Sequence, residues 1–326
     1  MTRSRDIANL GDGVTAADIT DATITAAKMA DGAVEGAFTT QIGRRNLIIN
    51  GAYTIWQRAT TSSSNGVNTA DRWQQNDATF TQETSIVPDN FQYSMKVVAN
   101  GSGTPLLLQK IERPQVCGHI VNQDITVSFY ARSSNVNAIT KLELNDEGGS
   151  GGRPDGGSQT LSAADTWERI THTFTAPFSS LTGNSVAVIL TFATSATVYI
   201  SGFQVEVGSV ATPFEHRSYG EELALCQRYY QLVTNGNMMV AGTTSIYLNP
   251  QFFCEMRSTP SISQTGVFSI NNRTANRIQS STGHTFYAGD TRGVFIDLLN
   301  FSSLLTDSGV SARYLNTNAV VLDAEL

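Results

Sequence analysis

Several short segments alternate between apolar and polar residues, and this alternation constrains the fold more than any other feature of the sequence. The clearest examples are residues 125–131, 138–144 and 168–174. A period of two places successive side chains on opposite faces of a strand, so each segment predicts a strand with one buried face. Residues 186–192 form a nearly continuous apolar run, which predicts a central strand buried on both faces.

Further strand-like segments occur at 46–49, 94–98, 105–111 and 197–200. No helical periodicity separates them, which argues against alternating parallel strands and helices. Strands at this spacing, with turns between them, predict an all-β sandwich or barrel. The polar, glycine-rich stretch 145–158 contains no apolar residue and is expected to be a mobile surface loop.

The pattern changes at the end of this region. Phe203, Val205 and Val207 alternate with polar residues and predict a closing strand with one buried face. Pro213 cannot donate a hydrogen bond to a sheet, so the sheet is expected to end before it. Residues 221–230 have apolar residues at roughly helical spacing and two acids in the first turn, which predicts a short helix or turn.

A second β unit is predicted after this link. Asn271 and Asn272 form a turn signal within it. Strands are predicted at 238–242, 244–248, 252–256, 266–270, 293–298, 312–317 and 320–325. Strands in this number predict a second small β-sandwich.

The composition argues against several functional classes. The net charge is −7, whereas a protein that binds the nucleic-acid backbone needs a basic surface. No apolar run approaches the roughly 18 residues of a membrane span, and Met1–Asp6 has no apolar core for a signal peptide. The three cysteines, Cys117, Cys226 and Cys254, lack metal-ligand spacing and are expected to be free thiols.

Residues 1–45 differ from the rest of the chain. Segments 12–19 and 21–34 contain imperfect copies of one phrase, in which an apolar residue, Thr, two Ala and a charged residue recur. Almost no aromatic residues are present, so the segment cannot bury enough surface to fold alone. It is either a flexible tail or a neck in which three copies pack together.

Several motifs resemble those of bacteriophage tail-fibre and virion structural proteins. Residues 203–215 read F-x-V-E-x-G-x-x-A-T-P-F-E, and L-x-x-C-x-R-Y-Y follows at 223–230. Similar segments occur at 45–51 (RNLIING), 55–58 (IWQR) and 69–73 (TADRW). The resemblance therefore extends over the chain in segments, although these motifs say little about a ligand.

The resemblance implies a fold and a setting. It implies an extended trimeric neck at 1-45, a carbohydrate-binding-module-like jelly roll at 46-218 and a C-terminal β-sandwich tip at 219-326. The expected partners are two further copies of the chain, tail, baseplate or adaptor proteins bound through residues 1-45, and a host surface glycan. We expect a virion location after synthesis in the host cytoplasm, with no cofactor, metal ion, nucleic acid or membrane insertion.

Candidate catalytic residues are sparse. The four histidines show no zinc-site spacing, and no nucleophile elbow is present. A glycosidase would need two facing carboxylates, with Asp146, Glu147, Asp155 or Asp290 as candidates. The first three could also bind calcium, although solvation is the simpler interpretation. Because nothing in the sequence brings two of them together, we expect no enzymatic activity.

Two groups of residues are candidates for ligand binding. Trp56 and Trp73 are expected to pack in the core, whereas Trp167 begins a strand and could stack on a sugar. In a fibre whose far end binds the host, loops of the tip would contact the receptor. The candidates there are Asn271, Asn272, Arg273, Asn276, Arg277, His284, Tyr287, Asp290 and Arg292.

The predicted function is non-enzymatic adhesion of a phage tail fibre to a host glycan. One alternative is a purely structural virion protein, such as a baseplate, neck or decoration component. The other is a polysaccharide-degrading tailspike. The sequence names neither the host nor the glycan, nor which β domain contacts the receptor.

Overall fold

The computed structural model describes residues 45–66, 69–112, 120–233, 236–240, 244–264, 269–272, 277–280, 283–287, 289–293, 295–299 and 320–325. Within these ranges the chain is almost entirely β, with one short helix, which confirms the all-β prediction. The predicted neck, apart from Arg45, and the predicted strand at 312–317 lie outside them. Asn46–Leu326 form one compact unit, and the division at residue 218 stays a prediction.

Among the described residues, ten strands build two antiparallel sheets in the first part of this unit. They are β1 (Thr61–Ser62), β2 (Gln74–Asn76), β3 (Ala78–Glu83), β4 (Ser94–Ala99), β5 (Leu106–Glu112), β6 (Ile125–Ser133), β7 (Ile139–Asp146), β8 (Glu168–Phe174), β9 (Ser185–Phe192) and β10 (Thr197–Val207). One sheet has six strands in the order β1-β3-β4-β10-β6-β8, and the other has four in the order β2-β5-β9-β7. Buried residues of both sheets share one hydrophobic cluster, as in a sandwich.

Aromatic rings occupy the centre of this core. Phe129 and Phe203 stack with ring centres 5.1 Å apart, and Trp73 meets Phe203 edge-on at 5.0 Å. The burial of Trp73 confirms its predicted structural role. Trp56 is half-buried against the same core and donates its indole N–H to the Tyr53 carbonyl at 2.6 Å.

The closing strand departs from its prediction. Segments 197–200 and 203–207 form a single strand of 11 residues, with a bulge between Ser201 and Gln204. The expectation of one buried face was wrong, because Gln204 and Glu206 are also buried. The chain beyond the strand covers them: Glu206 accepts hydrogen bonds from the Thr212 N–H at 2.9 Å and the Thr212 hydroxyl at 2.7 Å. Polar side chains are thus buried together with their partners.

The predicted strand at 46–49 is not a strand. The Asn46 side chain takes the place of a ladder residue: its amide donates to the Phe203 carbonyl at 3.0 Å and its oxygen accepts from the Val205 N–H at 3.1 Å. Gly51 then approaches β10 so closely that a Cβ would lie 2.1 Å from the Phe203 oxygen. Only glycine fits there.

The predicted helix is present as α1 (Tyr219–Gln227). Ser218 caps it by accepting a hydrogen bond from the Glu221 N–H at 3.3 Å. Cys226 lies buried on its inner side. Cys226 and Cys254 are free thiols, as predicted, and Cys117 lies outside the described residues.

Nine strands follow the helix in the described ranges. They are β11 (Tyr230–Val233), β12 (Gly236–Val240), β13 (Ile246–Pro250), β14 (Ser261–Gln264), β15 (Ser269–Asn272), β16 (Arg277–Ser280), β17 (Gly283–Tyr287), β18 (Phe295–Leu299) and β19 (Val320–Asp323). The sheets are β11-β19-β14, β12-β13-β18-β17 and the pair β15-β16. The prediction of a strand at 252–256 was wrong, and Asn271 and Asn272 belong to β15 rather than to a turn.

A charged network joins the end of the chain to the four-stranded sheet and its neighbouring loop. The Glu325 carboxylate binds the guanidinium of Arg72 and lies 3.3 Å from that of Arg58. Arg58 also lies 3.6 Å from the carboxylate of Asp71, which is buried. The Arg72 guanidinium in turn lies 3.5 Å from the centre of the Tyr229 ring, just after α1.

The glycine-rich stretch 145–158 is bonded to the edge of the four-stranded sheet, in contrast to the expected mobile loop. Leu142 of β7 exchanges backbone hydrogen bonds with Gly156 and Gly157 at 2.8 and 2.9 Å. The Leu144 N–H donates to the Pro154 carbonyl at 3.0 Å. The stretch therefore runs beside β7 as an irregular edge segment, although it has no apolar residue to signal this.

Candidate functional site

The outer face of the six-stranded sheet carries polar, cationic and aromatic side chains. In β6, Val127, Phe129 and Ala131 are fully buried in the core. The alternate residues Tyr130 and Arg132 lie on the opposite face and are half-buried. This face is therefore open to solvent, as is common in antiparallel sheets.

The strand register aligns four side chains of this face in one row. Lys96 of β4 is opposite Tyr199 of β10, and Tyr199 is opposite Arg132 of β6. The pairing of β6 with β8 begins at Glu168, so the next position places Trp167 beside Arg132. We call Lys96, Tyr199, Arg132 and Trp167 the aromatic-cationic row.

The four members of the row are all half-buried. Because neighbouring strands are about 4.8 Å apart, the row extends over about 14 Å. Thr81 of β3 and Thr61 of β1 continue it beyond Lys96, and their hydroxyl oxygens lie 2.9 Å apart. The result is a long surface on which the two cations and two rings alternate and two threonines extend one end.

Contacts within the sheet hold the charged members in place. The Lys96 ammonium lies 5.9 Å from the centre of the Tyr199 ring, within the range of a cation–π contact. Arg132 donates its Nε–H to the Asp165 carbonyl at 2.7 Å, and its guanidinium lies 3.8 Å from the Asp165 carboxylate. Both cations are thus partly pre-positioned.

An aromatic cluster borders the row. The ring of Phe91 lies 5.5 Å from that of Tyr130, 5.1 Å from Phe214 and 5.0 Å from His216. Phe91 packs directly on β10 because Gly202 has no side chain: a Cβ there would lie 2.6 Å from the Phe91 Cζ. The glycine in the bulge therefore makes room for the aromatic cluster that borders the row.

Arg169 of β8 lies on the same face, opposite Tyr130. Its guanidinium donates to the Ser128 hydroxyl at 3.0 Å and to the Thr212 carbonyl. Thr212 belongs to the segment after β10 that covers Gln204. The open part of the face therefore comprises the row together with Tyr130 and Arg169.

The predicted tip residues are distributed over a hairpin, a strand and a turn. Arg273 and Asn276 lie outside the described residues. The others are Asn271, Asn272 and Arg277 in β15-β16, His284 and Tyr287 in β17, and Asp290 and Arg292 in the turn after β17. Asn272 is directly opposite Arg277, and the role of the tip in binding stays a prediction.

The turn after β17 is built by its own polar groups. The Asp290 carboxylate accepts hydrogen bonds from the Arg292 N–H at 2.7 Å and the Gly293 N–H at 3.0 Å. The Arg292 guanidinium lies 3.2 Å from the Glu255 carboxylate, and both side chains are exposed. Hydrogen bonds from Thr291 and Arg292 lower the pKa of Glu255.

The carboxylates considered for catalysis or calcium binding are engaged by the protein itself. Asp146 accepts hydrogen bonds from the backbone N–H groups of Gly151, Gly183 and Thr182 at 2.8, 2.9 and 3.2 Å. Asp155 accepts from the Gly157 N–H at 2.8 Å. Within the described ranges, His, Cys, Asp and Glu side chains form no group of three or more suited to a metal ion.

In the part of the chain that is described, no helix has the length and apolar character to cross a membrane.

A separate polar cleft of about 630 Å³ lies beside the four-stranded sheet. Its walls include Lys110, Glu112, Glu147, Arg228 and Arg257. These charges pair across the cleft: Lys110 lies 3.6 Å from Glu147, and Glu112 lies 3.1 Å from Arg228 and 3.9 Å from Arg257. Its described walls have no aromatic ring, so this cleft offers less for sugar recognition than the row.

Comparisons with known proteins find similarity in structure but not in sequence. No protein-family model matches the chain, and no curated protein matches it. A protein described as sugar-binding from Bacteroides thetaiotaomicron is 16% identical with a TM-score of 0.34, over 50% of this chain and 99% of its own. The CBM22-1 xylan-binding domain from Paenibacillus barcinonensis Xyn10C is 11% identical with a TM-score of 0.32, over 52% of this chain and 100% of its own.

A phage protein is also among the structural neighbours. The enzymatically active domain of tailspike protein 4 from bacteriophage CBA120 is 12% identical with a TM-score of 0.33. The match extends over 50% of this chain and 21% of that chain. The neighbours thus include carbohydrate-binding modules and a tailspike domain.

Sequence reasoning identified one member of the row, Trp167, and missed Lys96, Tyr199 and Arg132. The alternation did carry a signal, since Tyr199 stands between the apolar Val198 and Ile200 and must therefore face outwards. The order of β4, β10, β6 and β8 in the sheet was needed to bring these side chains together.

Proposed function

We propose that this chain is a bacteriophage tail-fibre or related virion protein that binds a host-surface glycan without catalysis. The observation that carries glycan binding is the aromatic-cationic row, in which two half-exposed rings alternate with two cations. The virion role is supported by the motifs at 203–215 and 223–230.

The chemistry of the row suits a sugar chain. Aromatic faces pack against the apolar C–H face of a pyranose, and Lys and Arg donate hydrogen bonds to its oxygens. Tyr199 and Trp167 are two strands apart, which corresponds to about 10 Å. One small sugar does not cover that distance, so the row favours an oligosaccharide or polysaccharide that lies across the strands.

In the proposed fibre the chain is a homotrimer that attaches to other virion proteins through residues 1–45. The repeated phrase at 12–19 and 21–34 supports this arrangement, because short repeats of this kind need neighbours to pack against. A single shallow site binds weakly, and three linked sites gain avidity through a high effective concentration.

The absence of catalysis is part of the proposal. It is supported by the engagement of Asp146, whose carboxylate accepts three backbone hydrogen bonds. A carboxylate that is buried and held by the backbone in this way is not free to approach a glycosidic bond.

The test is binding of the full-length protein to a glycan array and to host cells. In one variant Tyr199→Ala and Trp167→Ala are combined, in a second Asn272→Ala and Arg277→Ala. Tyr219→Ala removes an exposed ring at the start of α1 and serves as the matched control. We expect the row variant to bind at least about tenfold more weakly, and the control to bind as the wild type does.

Other outcomes point elsewhere. If only the tip variant loses binding, the receptor site is in the tip and the row is structural. If the folded protein binds no glycan and no host cells, the purely structural virion role replaces the proposal. Release of reducing ends from host polysaccharide would establish the tailspike alternative.

A further inference from the structure

Two cations on the outer face of the six-stranded sheet form no ion pair within 4.0 Å. Among the described lysine and arginine side chains after residue 45, every one has a carboxylate oxygen within 4.0 Å except Lys96 and Arg169. In a chain with a net charge of −7, such cations are unusual. Both of them lie on the face that carries the aromatic-cationic row.

The groups in direct contact with these two cations are neutral. Arg169 is held by the Ser128 hydroxyl at 3.0 Å and by the Thr212 carbonyl, which leaves its charge uncompensated. Lys96 faces the Tyr199 ring at 5.9 Å. A cation–π contact stabilises an ammonium by only about 0.5–1 kcal/mol at an exposed site, so Lys96 remains able to bind an anion.

The acids near this face are occupied. Glu83, at the end of β3, accepts hydrogen bonds from the backbone N–H groups of Thr84 and Ser85 at 2.9 and 2.7 Å. These hydrogen bonds, and the weaker attraction of Lys96 from beyond 4.0 Å, lower the pKa of Glu83. Asp165 lies at the opposite end, where it pairs with Arg132 at 3.8 Å. The open part of the face between these acids therefore presents an excess of positive charge.

The cations and rings are interleaved along the sheet. Lys96 and Arg132 are two strands apart, about 10 Å, with the Tyr199 ring between them. Arg169 lies on β8, two residues beyond Trp167. The cations therefore flank the rings and do not form a cluster of their own. A ligand that stacks on the rings would contact them along its length.

We infer that the aromatic-cationic row binds an acidic glycan, one whose sugars carry carboxylate or sulfate groups. This inference rests on the proposed glycan-binding function and adds the charge of the ligand. A guanidinium pairs with carboxylate or sulfate oxygens through charge-assisted hydrogen bonds, while the rings hold the apolar faces of the sugars.

The test uses polymer pairs that differ only in charge. Binding of the full-length protein is measured to polygalacturonate and to its methyl ester, and to dextran sulfate and to dextran. We expect the acidic member of at least one pair to bind at least about tenfold more tightly at about 50 mM NaCl, and to lose this advantage at about 500 mM. Polygalacturonate binding would indicate a carboxylated ligand, and dextran sulfate binding a sulfated one.

Charge-removing variants connect this preference to the row. Lys96→Gln and Arg169→Gln should each weaken binding of the acidic polymer about three- to fivefold, the effect of one exposed ion pair. Lys141→Gln removes the same charge from the four-stranded sheet and is the matched control. Melting temperatures show whether each variant remains folded.

Three results would overturn the inference. Equal binding of the acidic and neutral members, abolished by Tyr199→Ala with Trp167→Ala, would refute the acidic ligand and leave glycan adhesion intact. Acidic binding that is unchanged in Lys96→Gln and Arg169→Gln, or weakened equally by Lys141→Gln, would show a nonspecific effect of charge. If no polymer binds, the inference fails, and the glycan array decides the proposed adhesion separately.

Discussion

Glu325 connects the end of the chain to the first part of the compact unit, and its replacement is the strongest test of that connection. Its carboxylate binds the guanidinium of Arg72 and lies 3.3 Å from that of Arg58. Both arginines are largely removed from water: their side chains are 3% and 11% exposed. We predict that Glu325→Gln destabilises the protein substantially while it preserves the size of the side chain.

The contacts that Arg72 and Arg58 keep in Glu325→Gln determine how much unfolding free energy is lost. Removal of one partner from a buried ion pair costs about 3–5 kcal/mol, because the other charge stays buried without compensation. Arg72 retains its hydrogen bond to the Lys110 carbonyl at 2.6 Å, and Arg58 retains Asp71 at 3.6 Å and Asp323 at 3.3 Å. The cost should therefore lie near the lower end, at about 3 kcal/mol of unfolding free energy.

Urea unfolding of the full chain, followed by circular dichroism and tryptophan fluorescence, measures this loss. Glu255→Gln is the matched control, because that carboxylate is 51% exposed and pairs with the 75% exposed Arg292. An ion pair of that kind contributes at most about 1 kcal/mol, and the control should shift the unfolding midpoint little.

A double-mutant cycle gives the result that would refute this reasoning. If Arg72 and Glu325 stabilise each other, Arg72→Met combined with Glu325→Gln should cost less than the sum of the single changes. Additive effects, or a loss below about 0.5 kcal/mol for Glu325→Gln, would mean that water already screens the pair and that the end of the chain is not held by it.

Two further predictions concern the core and the border of the row. Burial raises the pKa of Asp71 from 3.8 to about 6, against the attraction of Arg58. The folded state then keeps this proton to a higher pH than the unfolded state, so its stabilisation is complete below pH 3.8 and decreases by about 3 kcal/mol as the pH rises through 6. Urea unfolding between pH 4 and 7 should show this decrease in the wild type relative to Asp71→Asn, and parallel curves would contradict it. Gly202→Ala, at φ +59, should lower the unfolding free energy by about 1–2 kcal/mol and move the Phe91 ring; an unchanged midpoint would show that the bulge tolerates a side chain.

The alternation of apolar and polar residues predicted the strands well where one face is buried and the other is exposed to solvent. The segment 168–174 is β8 with the same bounds, and 125–131 and 138–144 lie within one or two residues of β6 and β7. Strands of this kind can be recognised from the sequence, because successive side chains face the core and the solvent in turn. The all-β class followed from segments of this kind, with turns and no helical pattern between them.

Prediction failed where polar side chains replace backbone partners. Gln204 and Glu206 look like solvent-facing residues of a half-buried strand, but the segment around Thr212 folds back and satisfies them. Asn46 likewise supplies hydrogen bonds to β10 in place of a strand. In each case the partner is set by tertiary structure, which neither the residue type nor its period reveals.

The candidate site also depends on tertiary structure that the sequence pattern does not reveal. Alternation places Lys96, Tyr199, Arg132 and Trp167 on the outer sides of their strands, but these strands are far apart in the sequence. Only the sheet order β4-β10-β6-β8 and the register make them neighbours. A shift of one residue in β10 would turn Tyr199 into the core and Val198 outwards, which the burial of Val198 and Ile200 forbids. The core residues thus fix the register of the surface row, so a ligand preference on the outer face depends on packing inside the sandwich.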